Sequence, residues 1–81
     1  MNRIGILAQL EGLIRDLFDE YQGPVTEDLS AHDVEQWDSL GNVQFVVLIE
    51  KTMDVRFSTE EMASLSNLGE LMTLIERKKS L

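Results

Sequence analysis

An all-α fold is predicted by this sequence: a four-helix bundle of three long helices and a short third one, with a long loop between the first and second. Three observations lead there. Apolar residues return every three or four positions near both ends of the chain, two capping patterns punctuate its second half, and no strict apolar–polar alternation competes with them. At 81 residues the chain is expected to form a single domain, residues 1–81.

The first helix is expected to carry the stripe Ile4, Leu7, Leu10, Ile14, Leu17, Phe18 and Tyr21, with Arg3, Glu11, Arg15 and Asp19 falling between. Gly23-Pro24 ends it, because proline lacks an amide donor and glycine relaxes the backbone. From there to Trp37 the chain is polar, and Val25, Leu29, Val34 and Trp37 are the residues that can pin it to a core. A connection this long in so small a chain is more often functional than idle. Asp38-Ser39-Leu40 opens a second helix that runs to about Met53. Its stretch Val43 to Ile49 is β-branched and aromatic, the one place where strand propensity is high. Asp54, Val55 and Arg56 form a short extended link to Phe57. Ser58 followed by Glu61 is a capping box, which predicts a short helix over Thr59 to Ser64. Asn67 with Glu70 repeats the pattern, and Leu68, Leu71, Met72 and Ile75 form the stripe of a last helix. Arg77, Lys78 and Lys79 suit the negative end of its dipole.

Composition narrows the function. Lys and Arg number 7 against 15 Asp and Glu, a net charge of -8. Eight of the carboxylates lie between Asp16 and Asp38, where there is no Lys or Arg. Such a field repels nucleic acid and anionic lipid and speeds encounter with proteins that carry basic patches. So small a core leaves little room for a deep catalytic cavity. With no cysteine there is no disulfide, thiolate metal site or thiol nucleophile; no metal site is expected. The longest apolar run, Phe45 to Ile49, is too short to span a bilayer. Met1 to Gly5 lead into an amphipathic pattern rather than a signal-peptide core, so a cytoplasmic protein is expected.

Residues 40 to 53, placed at about 100° per residue, show two apolar sectors where a simple surface helix shows one. Phe45, Val46, Ile49 and Met53 form the first. Leu40, Val43 and Val47 form the second, which either faces a partner or is covered by the short third helix and the long loop. Ser39 stands at the start of this helix. Either Asp38 or Ser39 can serve as its N-cap, and the free amides of a helix start favour an anion such as a phosphodiester on Ser39. Asp38 can also hold a divalent ion or a basic group of a modifying enzyme. A serine hydrolase is excluded on grounds of bulk: His32 is the sole histidine, no Gly-x-Ser-x-Gly elbow is present, and nothing builds an oxyanion hole. The acidic loop lacks the ladder and turn glycine of an EF-hand.

The run from Trp37 through Asp38-Ser39-Leu40 to Glu50 resembles the Asp-Ser-Leu prosthetic-group segment of acyl carrier proteins and the helix that follows it. The helix order, loop and charge of nearly the whole chain resemble that family too. The resemblance implies a 4′-phosphopantetheine arm, transferred from coenzyme A to the Ser39 hydroxyl by a phosphopantetheinyl transferase, with Asp38 and Leu40 completing the attachment motif. It implies a non-catalytic, monomeric shuttle that carries acyl or aminoacyl groups as thioesters. Its partners are then an activating ligase and acyl-transferring enzymes with basic docking patches. Leu40, Val43, Val47 and Glu50 match the family's partner-facing positions, while Phe45, Val46 and Ile49 match core positions beside the acyl pocket. The chain departs from carriers of fatty acid synthesis at Gly41, Asn42, Gln44 and Lys51, where those have acidic residues. With Trp37, Gly41 is more like the discrete carriers of specialised pathways, such as D-alanyl carriers and those beside polyketide or surface-polysaccharide enzymes. The competing reading is an acidic helical adaptor without cofactor, in which the Val43–Val47 sector docks a partner helix.

Overall fold

A computed structural model describes residues 2–79. They form four helices, α1 Arg3–Leu17, α2 Ser39–Met53, α3 Thr59–Ala63 and α4 Leu68–Lys79, with no strand among the described residues. This is the four-helix arrangement that the apolar periodicity predicts.

Asn2 caps α1, its side chain accepting from the Gly5 amide at 2.7 Å. The inward face of the helix is Ile6, Leu10 and Ile14, all fully buried, followed by Phe18 at the C-cap. Two expectations are corrected here. Ile4 is 82% exposed: it lies roughly 100° from the centre of the buried arc, and its place on the inner face is taken by Ile6. The helix also stops at Leu17, short of Tyr21 and well before Gly23-Pro24. The cause is tertiary. Phe18 turns inward to stack on Trp37 at 5.9 Å and to meet Phe45 edge-on at 5.7 Å, and such aromatic pairs contribute about 0.5–1.5 kcal/mol beyond their buried area. Arg15 then draws the chain back, donating to the carbonyls of Tyr21 at 3.1 Å and Gly23 at 2.8 Å.

The long loop is a series of tight turns held by backbone bonds from Leu29 to Thr26, Asp33 to Ser30 and Trp37 to Val34. Leu29, Val34 and Trp37 are buried as expected, and Val25 packs at the edge of the core. Across the molecule the loop satisfies the open end of α4: the Leu68 amide donates to the Leu29 carbonyl at 2.9 Å and Gly69 to Glu27 at 2.8 Å. Arg3 ties the same corner together. It donates two bonds to the Glu27 carboxylate at 2.8 and 2.9 Å, one to the Gly69 carbonyl at 3.0 Å, and others to Thr73 and Glu76.

Helix α2 ends at Asp54, whose left-handed backbone (φ 55°) closes the last turn. Lys79 of α4 donates to the Met53 carbonyl at 2.9 Å and satisfies another open acceptor of that end. Both capping patterns form. Ser58 and Glu61 bond reciprocally to each other's backbone, starting α3 at the predicted residue, and Ser64 becomes its C-cap. Asn67 accepts from the Glu70 amide while Glu70 reaches the Ser66 amide. Leu68, Leu71, Met72 and Ile75 are all buried.

Candidate functional site

The start of α2 resolves which residue caps it. Asp38 has extended backbone, its Oδ1 accepts from the Gly41 amide at 2.8 Å, and its carbonyl accepts from Asn42 at 2.8 Å. Capping therefore falls to Asp38, and Ser39 becomes the first helical residue. Its side chain is exposed and its hydroxyl makes no hydrogen bond among the described residues. The Ser39 and Leu40 amides are likewise without an internal acceptor there, as the geometry of a helix start requires. A free hydroxyl thus stands beside two free donors in the positive field of the helix end.

This corner is held rigidly. The Trp37 indole donates to Asn42 Oδ1 at 3.0 Å, bridging the residues on either side of Asp38-Ser39. Trp37 meets Phe45 edge-on at 5.3 Å, so Phe18, Trp37 and Phe45 form one aromatic post beneath the helix start. Gly41 is buried under the loop. A Cβ there overlaps the Gln36 carbonyl oxygen and comes within 3.1 Å of Phe18 Cε1, so only glycine permits this approach of loop to helix. Gln36 in turn accepts from the Glu20 amide at 2.9 Å.

A groove of about 400 Å³ opens beside Ser39. Trp37, Phe45 and Val46 form its floor, Met62, Ala63 and Leu65 its far wall, with Asn42, Ser66 and Asn67 supplying polar groups. Of the core residues expected near such a pocket, Phe45 and Val46 line it, whereas Ile49 is wholly buried in the core behind. The groove walls contributed by the third helix and its flanks carry no sequence signal of their own; they become a site only when α3 folds over α2. The Trp37–Asn42 bond had a weak signal, because a buried indole N–H needs an acceptor and Asn42 lies five residues on.

On the outer face of α2, Leu40, Val43 and Val47 are 67%, 47% and 40% exposed. Neither α3 nor the loop covers them. Glu50 is placed differently from the other three: it is half-buried and its Oε2 accepts from the Phe57 amide at 2.9 Å, bracing the α2–α3 link. His32 is exposed on the loop and its side chain makes no hydrogen bond among the described residues.

No protein-family model matches the chain, and no curated protein matches it either. Among solved structures it is similar to the holo acyl carrier protein from Geobacter metallireducens, determined in solution by NMR. The two share 31% sequence identity with a TM-score of 0.82, covering 91% of this chain and 85% of that one. Identity at this level over so much of both chains, on the same four helices, is more than a shared fold. The chain belongs to the acyl carrier protein family.

Proposed function

We propose that the chain, residues 1–81 as one domain, carries acyl or aminoacyl groups on a 4′-phosphopantetheine arm attached to the Ser39 Oγ. The observation that carries this reading is the division of labour at the start of α2. Asp38 does the capping, so the serine hydroxyl is left exposed and unbonded, with no structural task to lose when it is esterified. The residues fit the group. The Ser39 and Leu40 amides can receive the phosphodiester, Asp38 is exposed and keeps one oxygen without a bond among the described residues, and the groove past Asn42 and Val46 has room for the arm or part of its cargo. When bound, the arm supplies a terminal thiol that holds cargo as a thioester.

On this reading the chain is a substrate of its partners rather than a catalyst. A phosphopantetheinyl transferase modifies it, a ligase or transferase loads it, and downstream enzymes dock on Leu40, Val43 and Val47. The exposed Gln44 and Lys51, with the neutral Gly41 and Asn42, point to a dedicated pathway of specialised lipid, polyketide or surface-polysaccharide synthesis. No helix among the described residues is long and apolar enough to cross a membrane, which accords with a shuttle working in the cytoplasm.

The test is intact-protein mass spectrometry after incubation with coenzyme A, magnesium and a broad-specificity phosphopantetheinyl transferase, with Ser39→Ala in parallel. A single phosphopantetheine increment on the parent chain and none on the variant is expected. No increment on folded protein with two different transferases overturns the reading in favour of an adaptor without cofactor.

A further inference from the structure

The exposed stripe of α2 does not end at Val47. At about 100° per residue, Lys51 falls roughly 40° from Val47 and roughly 20° from Leu40, so the next turn of the same face presents a cation. Lys51 is exposed, as is Arg56 just beyond the α2 C-cap, and neither forms an ion pair or hydrogen bond among the described residues. Two of the carboxylates around them are engaged elsewhere: Glu50 is turned to the Phe57 amide and Glu61 is paired with Lys78 at 3.0 Å, so that along the chain from Glu50 to Phe57 two exposed cations stand against one exposed carboxylate, Asp54.

The Ser39 end is the reverse. Asp19, Glu20, Glu35 and Asp38 are all exposed, and the nearest cation preceding them in the chain, Arg15, is turned to backbone carbonyls and to Glu11. From Leu40 to Lys51 the helix rises about 17 Å. That is roughly twice the Debye length at physiological salt, so a docked partner feels the two ends as separate fields.

We propose that this face docks a partner surface whose charge is segregated along the same distance. Cationic groups stand opposite Asp38, an apolar slot takes Val43 and Val47, and at least one carboxylate stands opposite Lys51 and Arg56. That the partner is an enzyme acting on carried cargo rests on the carrier reading; the charge pattern does not. A partner with a uniformly basic patch meets repulsion at the Lys51 end, so the arrangement selects among enzymes as well as attracting one.

Two isomeric helical peptides test it, with identical composition and the same leucine stripe. In one, lysines are gathered at one end and glutamates at the other; in the second, the charges alternate along the helix. Each is titrated into the ¹⁵N-labelled full chain. The segregated isomer is expected to bind about fivefold more tightly, the scale of two exposed ion pairs, with amide shifts centred on Leu40 to Lys51. That advantage disappears in the Lys51→Glu/Arg56→Glu variant, whose face is acidic throughout. Equal affinity of the isomers for the parent chain, no binding of either, or shifts away from this face overturns the proposal. The titration does not involve Ser39 and the mass increment does not involve Lys51 or Arg56, so failure of one reading is separable from failure of the other.

Discussion

At the scale of single residues, two glycines in helices make opposite demands. Gly41 lies under the Gln36 carbonyl and against Phe18, whereas a Cβ on Gly12 meets nothing within 4 Å. Alanine is favoured over glycine in a helix by about 1 kcal/mol, but overpacking costs about 1–3 kcal/mol, and more where backbone must move. Steric conflict therefore wins at position 41 and propensity at position 12. Gly41→Ala is expected to lower stability by about 2 kcal/mol and Gly12→Ala to raise it by up to about 1 kcal/mol, as read from chemical denaturation. Equal effects at the two sites contradict the close approach. Both positions look alike in the sequence. Only the Gln36 carbonyl, brought in by a loop from outside the helix, tells them apart.

Among the elements, α2 carries most of the proposed site because it buries one face and shows another. Phe45, Val46, Ile49 and Met53 are at most 3% exposed, and full burial of such a side chain is worth about 1.5–3 kcal/mol. That anchorage is what lets Leu40, Val43 and Val47 remain exposed without loosening the helix. The two-sector pattern was legible as a pattern, yet whether α3 covered the second sector depended on where a five-residue helix packs. Its Met62 and Ala63 line the groove together with Val46 and Leu71, and the outer face stays open. Gln44 and Lys51 on that face match poorly with a wholly basic docking patch. The holo chain is therefore expected to be loaded and elongated by a general fatty acid synthase at least tenfold less efficiently, in kcat/KM, than that system's own carrier, a difference of about 1.4 kcal/mol. Comparable efficiency removes the case for a dedicated pathway.

Over the whole molecule, the corner where Arg3, Glu27, Gly69 and Glu76 meet joins α1, the loop and α4. The Arg3 guanidinium, donating to both Glu27 oxygens, holds that carboxyl below the usual carboxylate range. A depressed folded value stabilises the fold above the unfolded value of about 4.3, and this contribution is lost as pH falls through the lower folded value. Glu61 is also lowered, by the Ser58 amide first and Lys78 second, so acid sensitivity has two sources and Arg3→Gln removes one of them. The stability gap between parent and Arg3→Gln, measured by urea denaturation, is expected to be modest near about pH 6 and to shrink toward about pH 3. A gap that stays constant shows that the contact to Glu27 carries no linkage. By itself the sequence determined the helical class, the two capping motifs near α3 and α4, and the core stripes of α2 and α4. Those follow from periodicity and from contacts within one or two turns, which neighbouring residues settle between themselves. Only the tertiary structure decided the early end of α1, the exposure of Ile4, the choice of Asp38 over Ser39 as cap, the Arg3 corner and the groove. Each depends on groups brought together from distant parts of the chain, or on a choice between two locally equivalent conformations, and no local pattern carries that information.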